Sequence, residues 1–496
     1  MAMLYSSLRS KSRSIVPLVV LLLCMKLALD YYTKRSKPFK QILKHPSRNT
    51  VVSATASAIS STKSLPPLYI KPISWRGRDH FRGYATWLFT DLFLKGDTLF
   101  MIGSQYYRFP NIPHANFRIS VPSLGLPATE FTSWKIRDDY ESVVVGELVI
   151  KSFADVGAEG LSIVVTWVDR EGMIQRDFHL EQLEPSRRQK KTPSLKNSNL
   201  RDESSSNILQ VMEKSSRIPF RREHVSRFGM CALFHTDAHL LEMWVSYWWL
   251  LGVDHFYLHY NGIEDDMPGL HQRLLKLKAS FTLIHWPFDY WVSDLERPHH
   301  GQPMAINDCY YRNRDRHEII LMYDLDELLV YTHHSSLDSF FDYLAKENLS
   351  FSDLISQSSW ARVDLQTVGA DFNTLTVDHI AKAPLTRSNI HYERGKYAVN
   401  TSRYETGLTI LNVHGVYNIE CAPRPTSPEI ASLTGYRQFL MNETVAYHFH
   451  LTNVGRDRKR DGKVINPKED LRAVEMIQDG LKRRGRPERI ELEIRK

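Results

Sequence analysis

The pattern of hydrophobic and polar residues changes along this chain of 496 residues. From about 66 to 184 there are short runs rich in Val, Ile, Tyr and Phe, such as "DTLFMIGSQYYRF" and "YESVVVGELVI". Gly, Pro and Asp punctuate these runs, as they do between strands of antiparallel sheets. This part of the sequence predicts a small β-rich, sandwich-like domain.

From about Phe220 the pattern becomes an alternation of strands and helices. The predicted strands are "FGMCALFH", "VDHFYLHYN" and "FTLIHW", and the predicted helices are "DAHLLEMWVSYWWLLG", "MPGLHQRLLKLKA" and "QPMAINDCYYRNRD". Such alternation indicates an α/β fold with a mostly parallel sheet covered by helices on both faces. Ligands of these sheets bind beyond the carboxyl ends of the strands.

The next apolar run, "EIILMYDLDELLVY" at 318–331, predicts a strand buried on both faces, yet it contains Asp324, Asp326 and Glu327. In an extended strand Asp324 and Asp326 would point the same way, with Leu325 toward the core. Two neighbouring buried carboxylates repel each other unless a counter-charge is present. Oxygen ligands favour Mn²⁺ or Mg²⁺, and such a cation commonly binds substrate phosphates as well. The motif therefore predicts a metal site and a phosphate-bearing substrate.

The N-terminus has a charged start and an apolar stretch from Ile15 to Leu29. No small-residue cleavage site follows, so we favour an uncleaved signal-anchor over a cleaved signal peptide. Basic residues flank the segment on both sides and set its orientation only weakly. We expect a single-pass type II membrane protein with a lumenal body.

The predicted organisation follows from these shifts in pattern. It consists of a short cytoplasmic tail at 1–14, a transmembrane helix at 15–32, a flexible stem at 33–65, a β-rich domain at 66–184, a linker at 185–216, a catalytic domain at 217–455 and a charged extension at 456–496.

Charge and cysteine content narrow the class of protein further. The formal net charge of +8 is scattered, without a nucleic-acid-binding motif, so we expect no nucleic-acid partner. Outside the apolar segment the cysteines are Cys231, Cys309 and Cys421, which permit at most one internal disulfide. Acceptor triplets for N-glycosylation occur at Asn348, Asn400 and Asn442 and agree with a lumenal body.

Three blocks in order resemble family 92 glycosyltransferases over about 225–450. They are "MCALFHTDAHLLEMWVSYWWLLGVDHFYLHYNGIEDD", "GQPMAINDCYYR" and "LMYDLDELLV". The resemblance implies a GT-A fold that binds a UDP-sugar together with Mn²⁺. It also implies inverting transfer of β-linked galactose from UDP-galactose to a glycan acceptor.

The resemblance assigns roles to individual residues. Asp324 would meet the ribose or the metal, Asp326 would ligate the metal, and Lys396 would approach the diphosphate. His414 and His448 match positions of candidate metal ligands. The chain departs from the family pattern at Leu328 for Phe, at Asn400-Thr401 for Arg-Pro and at Phe449 for Tyr.

Residues at the ends of the first two predicted strands are candidates for nucleoside contacts. His235 and Asp237 follow the first strand, where Asp237 alternatively caps the helix. Asp265 follows the second strand in a turn sequence that needs no function.

Inverting transfer also needs a carboxylate that takes the proton of the acceptor hydroxyl. Asp371 and Asp364 are the first candidates for this base, followed by Glu393 and Glu405, and Trp360 is a candidate for stacking on a sugar.

Two other classes of protein stay open at this point. Paired carboxylates also serve glycoside hydrolases, and a non-catalytic, membrane-anchored carbohydrate-binding protein is the other alternative. The donor sugar, the acceptor and the oligomeric state are undetermined, with a homodimer as one option.

Overall fold

The structure is a computed structural model. It describes residues 69–73, 75–78, 85–104, 118–131, 133–136, 143–150, 160–169, 172–180, 226–235, 237–288, 301–347, 351–371, 373–404, 410–417, 438–452 and 468–487. The predicted tail, transmembrane helix, stem and linker lie outside these ranges. Within them, no helix combines the length and apolar character needed to span a membrane.

The strands and helices have the following bounds. Before residue 226 the strands are β1 Trp75–Arg78, β2 Ala85–Phe89, β3 Asp91–Lys95, β4 Thr98–Ser104, β5 Arg118–Val121, β6 Leu126–Glu130, β7 Ser133–Ile136, β8 Val143–Val149, β9 Leu161–Asp169 and β10 Gly172–Leu180. After it they are β11 Ser226–Phe234, β12 His255–Tyr260, β13 Ser280–His285, β14 His317–Met322, β15 Glu327–Tyr331, β16 Asp353–Arg362, β17 Leu385–Asn400, β18 Ile410–Asn412, β19 Gly415–Tyr417, β20 Gln438–Leu440, β21 Ala446–Leu451 and β22 Lys468–Asp470. The α-helices are α1 Leu241–Leu251, α2 Met267–Leu275, α3 Gly301–Asn313, α4 Leu337–Lys346, α5 Leu365–Val368, α6 Val377–Ile380 and α7 Arg472–Arg484.

Two antiparallel sheets, in the orders β3-β4-β8-β7 and β10-β9-β5-β6, occupy the predicted β-rich region. Strand β4 shows how they are covered, because successive side chains of a strand point to opposite faces. Leu99 and Met101 share a core with the second sheet, whereas Phe100 and Ile102 pack with residues of helix α3. Strand β4 is therefore apolar on both faces. The limits of the β-rich domain, 66–184, stay a prediction.

The central sheet has the order β13-β12-β11-β14-β17-β16-β21-β15. Strands β11 to β14 are all parallel to their neighbours within this group, and the helices α1, α2 and α3 follow β11, β12 and β13 along the chain. Helix α1 ends at Gly252, whose positive φ of 125° suits a residue without a side chain. The predicted α/β class with a parallel sheet is confirmed.

The stretch 318–331, predicted as one strand, forms two strands instead. Strand β14 ends at Met322, and the amide of Glu327 donates to the carbonyl of Asp324 at 3.1 Å to close a turn. Strand β15 then pairs with β21 at the far end of the sheet order. Asp324 and Asp326 are thus on a turn rather than on one face of an extended strand, although Leu325 is buried as expected. The run is apolar because both strands are buried.

Helix α7 lies within the predicted charged extension. Its residues Ala473, Met476 and Ile477 are buried in the main hydrophobic core, and the helix packs against α1. Its basic end also contacts α1, where the guanidinium of Arg484 lies 4.8 Å from the ring centre of Trp249. This part of the extension belongs to the core.

Helix α3 contributes to a buried charge group, the Arg312 cluster, formed by Asp91, His259, Asp308 and Arg312. Arg312 donates to Asp91 of strand β3 and, at 2.8 Å, to Asp308. His259 of strand β12 has its Nε2 atom 3.0 Å from Asp308. A disulfide between Cys231 and Cys309 also joins β11 to α3. These contacts tie α3 to both the central sheet and an N-terminal sheet.

Candidate active site

Four strands of the central sheet supply the residues of the candidate site. Asp324 and Asp326 follow β14, Lys396 lies on β17, His450 on β21 and Glu327 on β15. We call these five residues the Asp326 cluster. Strands β17, β16 and β21 lie between β14 and β15, so that the split of 318–331 into two strands places carboxylates on both sides of Lys396 and His450. Asp324 and Asp326 remain at the carboxyl end of a parallel strand, as predicted.

The Asp324 carboxylate is held by two protein donors. The Lys396 ammonium lies 2.6 Å from its Oδ2 atom, and the Gln302 amide donates to its Oδ1 atom at 2.8 Å. Its side chain is 31% exposed, whereas Lys396 and Glu327 are buried. Asp324 is therefore the carboxylate of the cluster that faces the surface.

Lys396 is the counter-charge within the cluster. Its ammonium also lies 3.4 Å from Glu327 Oε2. Burial by itself would lower the pKa of Lys396, but the charges of Asp324 and Glu327 outweigh burial and raise that pKa above its ordinary value. The ammonium therefore stays protonated at neutral pH.

Asp326, Glu327 and His450 form a group that could hold a metal ion. One donor atom from each lies within 4.8 Å of the others, and all three residues are buried. His450 Nε2 is 3.3 Å from Asp326 Oδ2, and His450 Nδ1 is 4.0 Å from Glu327 Oε1. Two carboxylates and an imidazole are a donor set that suits Mn²⁺ and related cations. The residues present therefore fit the predicted metal.

The charge of the cluster supports the same conclusion. Burial raises the pKa of Glu327 to about 7, while the charge of Lys396 acts in the opposite direction. Three carboxylates share one ammonium here, so full ionisation leaves an excess of negative charge. A divalent cation would offset that excess and favour the ionised form of Glu327.

His448 lies next to the group of Asp326, Glu327 and His450 and is held in one orientation. Its Nδ1 atom is 2.9 Å from the Ser356 hydroxyl, which in turn is 2.8 Å from the Tyr323 hydroxyl. Its Nε2 atom is 3.8 Å from Glu327 Oε1 and has no hydrogen-bond partner among the described residues. Burial lowers the pKa of His448, which leaves a neutral ring nitrogen directed at the group. Its predicted role as a ligand stays a prediction.

The other histidine predicted as a metal ligand, His414, is exposed on the turn between β18 and β19. Its Nδ1 atom is 3.0 Å from the carbonyl of Gly395. This places the histidine beside the residue that precedes Lys396. Buried Asn307 holds the hairpin, since its amide bonds to the Leu411 backbone in both directions. Within the described residues, the group that could hold a metal ion includes Asp326 but not Asp324, His414 or His448.

The predicted nucleoside contacts lie at the carboxyl ends of their strands. His235 directly follows β11 and is exposed, and Asp237 precedes a short 3-10 turn at Ala238–Leu240 without capping it through its side chain. Asp265 is exposed in the 3-10 turn Glu264–Asp266 that follows β12. These positions share the sheet edge with Asp324, and their roles stay predictions.

The candidates for the catalytic base make local contacts. Asp364 accepts hydrogen bonds from the backbone and hydroxyl of Thr367 and caps α5, and Asp371 accepts from the backbone of Asn373 at 2.8 Å. These bonds lower the pKa of both carboxylates. Glu405 and the side chain of Glu393 lie outside the described part of the chain. The base is therefore not identified by geometry.

Sequence reasoning did not select His450, Ser356 or Gln302. The spacing of "HFH" was a usable signal for His450, because residues two apart in a strand share a face. Trp360 is the register partner of His450 on β16, which brings a candidate sugar-stacking residue beside the cluster. Gln302 lies within one of the three resembling blocks, but nothing in the sequence connects it to Asp324.

A family model, described as glycosyltransferase family 92, matches residues 226–474. This match covers half of the chain and includes every residue of the Asp326 cluster. The chain belongs to glycosyltransferase family 92, as the sequence blocks predicted. No curated protein matches the chain.

Several solved structures match parts of the chain. HddC from Yersinia pseudotuberculosis has 12% identity and a TM-score of 0.23, covering 44% of this chain and 92% of its own. Glucosyl-3-phosphoglycerate synthase from Mycobacterium tuberculosis, in complex with Mn²⁺ and UDP-glucose, has 14% identity and a TM-score of 0.23, covering 58% and 86%. Mouse xyloside xylosyltransferase 1 has 13% identity and a TM-score of 0.19, covering 36% and 68%.

Proposed function

We propose that this protein transfers a sugar from a UDP-sugar to a glycan acceptor and that Mn²⁺, or Mg²⁺, is required. The observation that carries the proposal is the buried group Asp326, Glu327 and His450 beside Lys396, at the carboxyl edge of the family-matched sheet. This is where α/β sheets bind their ligands. An excess of buried carboxylates at such an edge favours binding of a cation together with an anionic substrate.

The residues of the cluster would divide the work of substrate binding. Asp326, Glu327 and His450 would hold the cation, which would supply positive charge next to the diphosphate. Lys396 adds an ammonium that its carboxylate neighbours keep protonated. Preorganised positive charge stabilises a leaving diphosphate most strongly when it is in place before the reaction.

The remaining substrate contacts follow from position and from the family. Asp324 offers a partly exposed carboxylate for the ribose, and His235, Asp237 and Asp265 would meet the nucleoside from the neighbouring strand ends. Trp360 would stack on a sugar beside His450. Galactose as the donor sugar, a β-linkage and inversion are the best inference from the family.

Asp371 and Asp364 remain our candidates for the base. Their lowered pKa values keep both ionised near neutral pH, which allows proton acceptance but makes each a weak base. An acceptor that displaces the local hydrogen bonds would strengthen the base it contacts. His414 and His448 remain candidates for completing the coordination of the cation.

We also propose a type II protein in the Golgi membrane with its catalytic body in the lumen. The Cys231–Cys309 disulfide supports an oxidising compartment, where such bonds persist. Asn442, in one of the glycosylation triplets, is exposed and therefore open to modification. The apolar segment at 15–32 would be the anchor.

Titration calorimetry of the full chain with UDP, in the presence of Mn²⁺ and then of a chelator, tests the core of the proposal. We expect UDP binding that disappears when the metal is removed. A panel of UDP-sugars, monitored by release of UDP, then identifies the donor, with UDP-galactose expected to react fastest. Metal-independent UDP binding would contradict the assignment of the cation, and absence of UDP binding would favour the hydrolase or carbohydrate-binding alternatives.

A further inference from the structure

We propose that Gln302 is a positioning residue, which fixes Asp324 in its ion pair with Lys396 and so reserves the cation for Asp326, Glu327 and His450. This inference rests on the proposed function, which already gives the two aspartates different roles, and adds the residue that would keep Asp324 in its role. Asp324 would shape the nucleotide site without ligating the metal. Gln302 would act on substrate only through Asp324.

The contacts of the two aspartates support this division. Both carboxylate oxygens of Asp324 accept a protein donor, Oδ1 from Gln302 at 2.8 Å and Oδ2 from Lys396 at 2.6 Å. A cation coordinated by Asp324 would lie next to the Lys396 ammonium, which is 2.6 Å from Oδ2, and the two positive charges would repel each other. Asp326 instead lies beside a metal donor, since its Oδ2 atom is 3.3 Å from an imidazole nitrogen of His450.

Gln302 is well placed to hold Asp324 firmly. It is 7% exposed and lies in the first turn of α3, every residue of which is buried. The disulfide to β11 and the backbone bonds of Asn307 fix the same helix further along. The amide therefore comes from a rigid support, which is what a residue that orients a binding group requires.

The position of the Asp324 carboxylate indicates what its hydrogen bond from Gln302 would do. Asp324 is 31% exposed, and its oxygens retain further lone pairs for a hydroxyl donor. A carboxylate fixed on two sides presents those lone pairs in one direction. Loss of the Gln302 bond would let the carboxylate rotate and would weaken binding of the nucleotide more than binding of the cation.

The first experiment compares Asp324→Asn with Asp326→Asn in the full-length protein. Mn²⁺ affinity is measured by electron paramagnetic resonance without nucleotide. We expect Asp326→Asn to weaken Mn²⁺ binding by about 100-fold or more, because it removes a direct ligand, and Asp324→Asn by no more than the roughly 10-fold of a weak outer contact. If Asp324→Asn loses Mn²⁺ as severely as Asp326→Asn, the division of roles is wrong while the metal-dependent function stands. If the wild type binds no Mn²⁺, both are wrong.

The second experiment tests Gln302 with Gln302→Met, which keeps the side-chain length and removes the N–H donor. We expect UDP affinity in the presence of Mn²⁺ to fall by about 5–10-fold, the effect of one hydrogen bond, with Mn²⁺ affinity within about twofold of wild type. Asn313→Ala is the matched control, because Asn313 is also a buried amide of α3 but donates to the carbonyl of Cys309. It should lower the unfolding temperature and leave UDP affinity unchanged. Unchanged UDP affinity in Gln302→Met, or an equal loss in Asn313→Ala, would overturn the proposal.

Discussion

The Arg312 cluster and the Asp326 cluster both contact helix α3, and they differ in how their charges are balanced. In the Arg312 cluster one guanidinium contacts two carboxylates, Asp91 and Asp308, both of which are fully buried. Burial lowers the pKa of His259 to about 3 and raises the pKa of Asp91, so the group tends toward neutrality without outside help. In the Asp326 cluster three carboxylates share a single ammonium, and Asp324 reaches the surface.

The difference distinguishes a structural charge group from the proposed binding site. Buried ion pairs with closed hydrogen bonding hold elements together, and removal of one partner leaves an uncompensated charge. A buried group with excess charge of one sign and an open side instead favours binding of a counter-ion. Substitutions in one cluster should therefore leave the measured properties of the other cluster unchanged.

The largest effect is expected from Asp326→Asn. Removal of this donor should reduce UDP-sugar turnover by about 10³-fold or more, because a cation supplies several kcal/mol of transition-state stabilisation. The protein should still fold, since Asn fills the same space. UDP release and the thermal unfolding temperature are the two measurements. Full turnover with Mn²⁺ would contradict the metal assignment.

The next largest effect is expected from Arg312→Met, which disrupts the Arg312 cluster. Two buried carboxylates lose their guanidinium, and we expect a loss of about 3–5 kcal/mol in the free energy of unfolding. Chemical denaturation measures this loss. Mn²⁺ affinity of the folded variant, measured at low temperature, should match the wild type. A loss of Mn²⁺ binding without a loss of stability would show that the two clusters are not distinct.

The pH dependence of stability should report on the Asp326 cluster through the titration of Glu327. Its pKa of about 7 in the folded protein lies above the ordinary 4.5, so the folded state binds this proton more tightly than the unfolded chain. The metal-free protein should therefore lose up to roughly 3 kcal/mol of stability as the pH rises from 4.5 to 7. The difference in unfolding free energy between wild type and Glu327→Gln isolates this contribution from that of the histidines. In saturating Mn²⁺ this difference in unfolding free energy should no longer depend on pH. A metal-free wild type that gains stability relative to Glu327→Gln as the pH rises would refute the assignment.

The smallest effect is expected from Lys95→Met, at the same end of α3 as Arg312. The Lys95 ammonium bonds to the carbonyls of Tyr311 and Arg312 at 3.1 and 2.8 Å, where a cation stabilises the end of a helix. We expect a loss of about 1 kcal/mol in the free energy of unfolding. UDP affinity should not change. A marked fall in UDP affinity would mean that this end of α3 is coupled to the Asp326 cluster.

The parallel half of the sheet was predictable because each strand and helix carries its own local pattern. The apolar runs of β11, β12 and β13 and the stop at Gly252 needed no knowledge of distant residues. The position of Asp324 and Asp326 at a strand end followed from the same patterns. The three blocks that resemble family 92 then indicated a UDP-sugar and Mn²⁺ as the ligands.

The other half of the site depended on pairings that no local pattern reveals. Both strands within 318–331 are buried, so the sequence shows one apolar run and conceals the turn between them. The proposed metal-binding role of Glu327 depends on β15 lying beside β21, and that of His450 on the register of the same pair. Gln302 meets Asp324 only because α3 packs at the edge of β14. These contacts are set by tertiary packing, which periodicity does not encode.

The pairing of β15 with β21 also determines when the site can come into existence. Glu327 faces its partner His450 across a long stretch of sequence, and loops of this kind close late because they cost more chain entropy. During synthesis the first aspartates would emerge well before the histidine that completes their group. Nascent or truncated chains that end before residue 446 would hence lack a complete cation pocket, which would delay any sugar-nucleotide chemistry until nearly the whole polypeptide has folded.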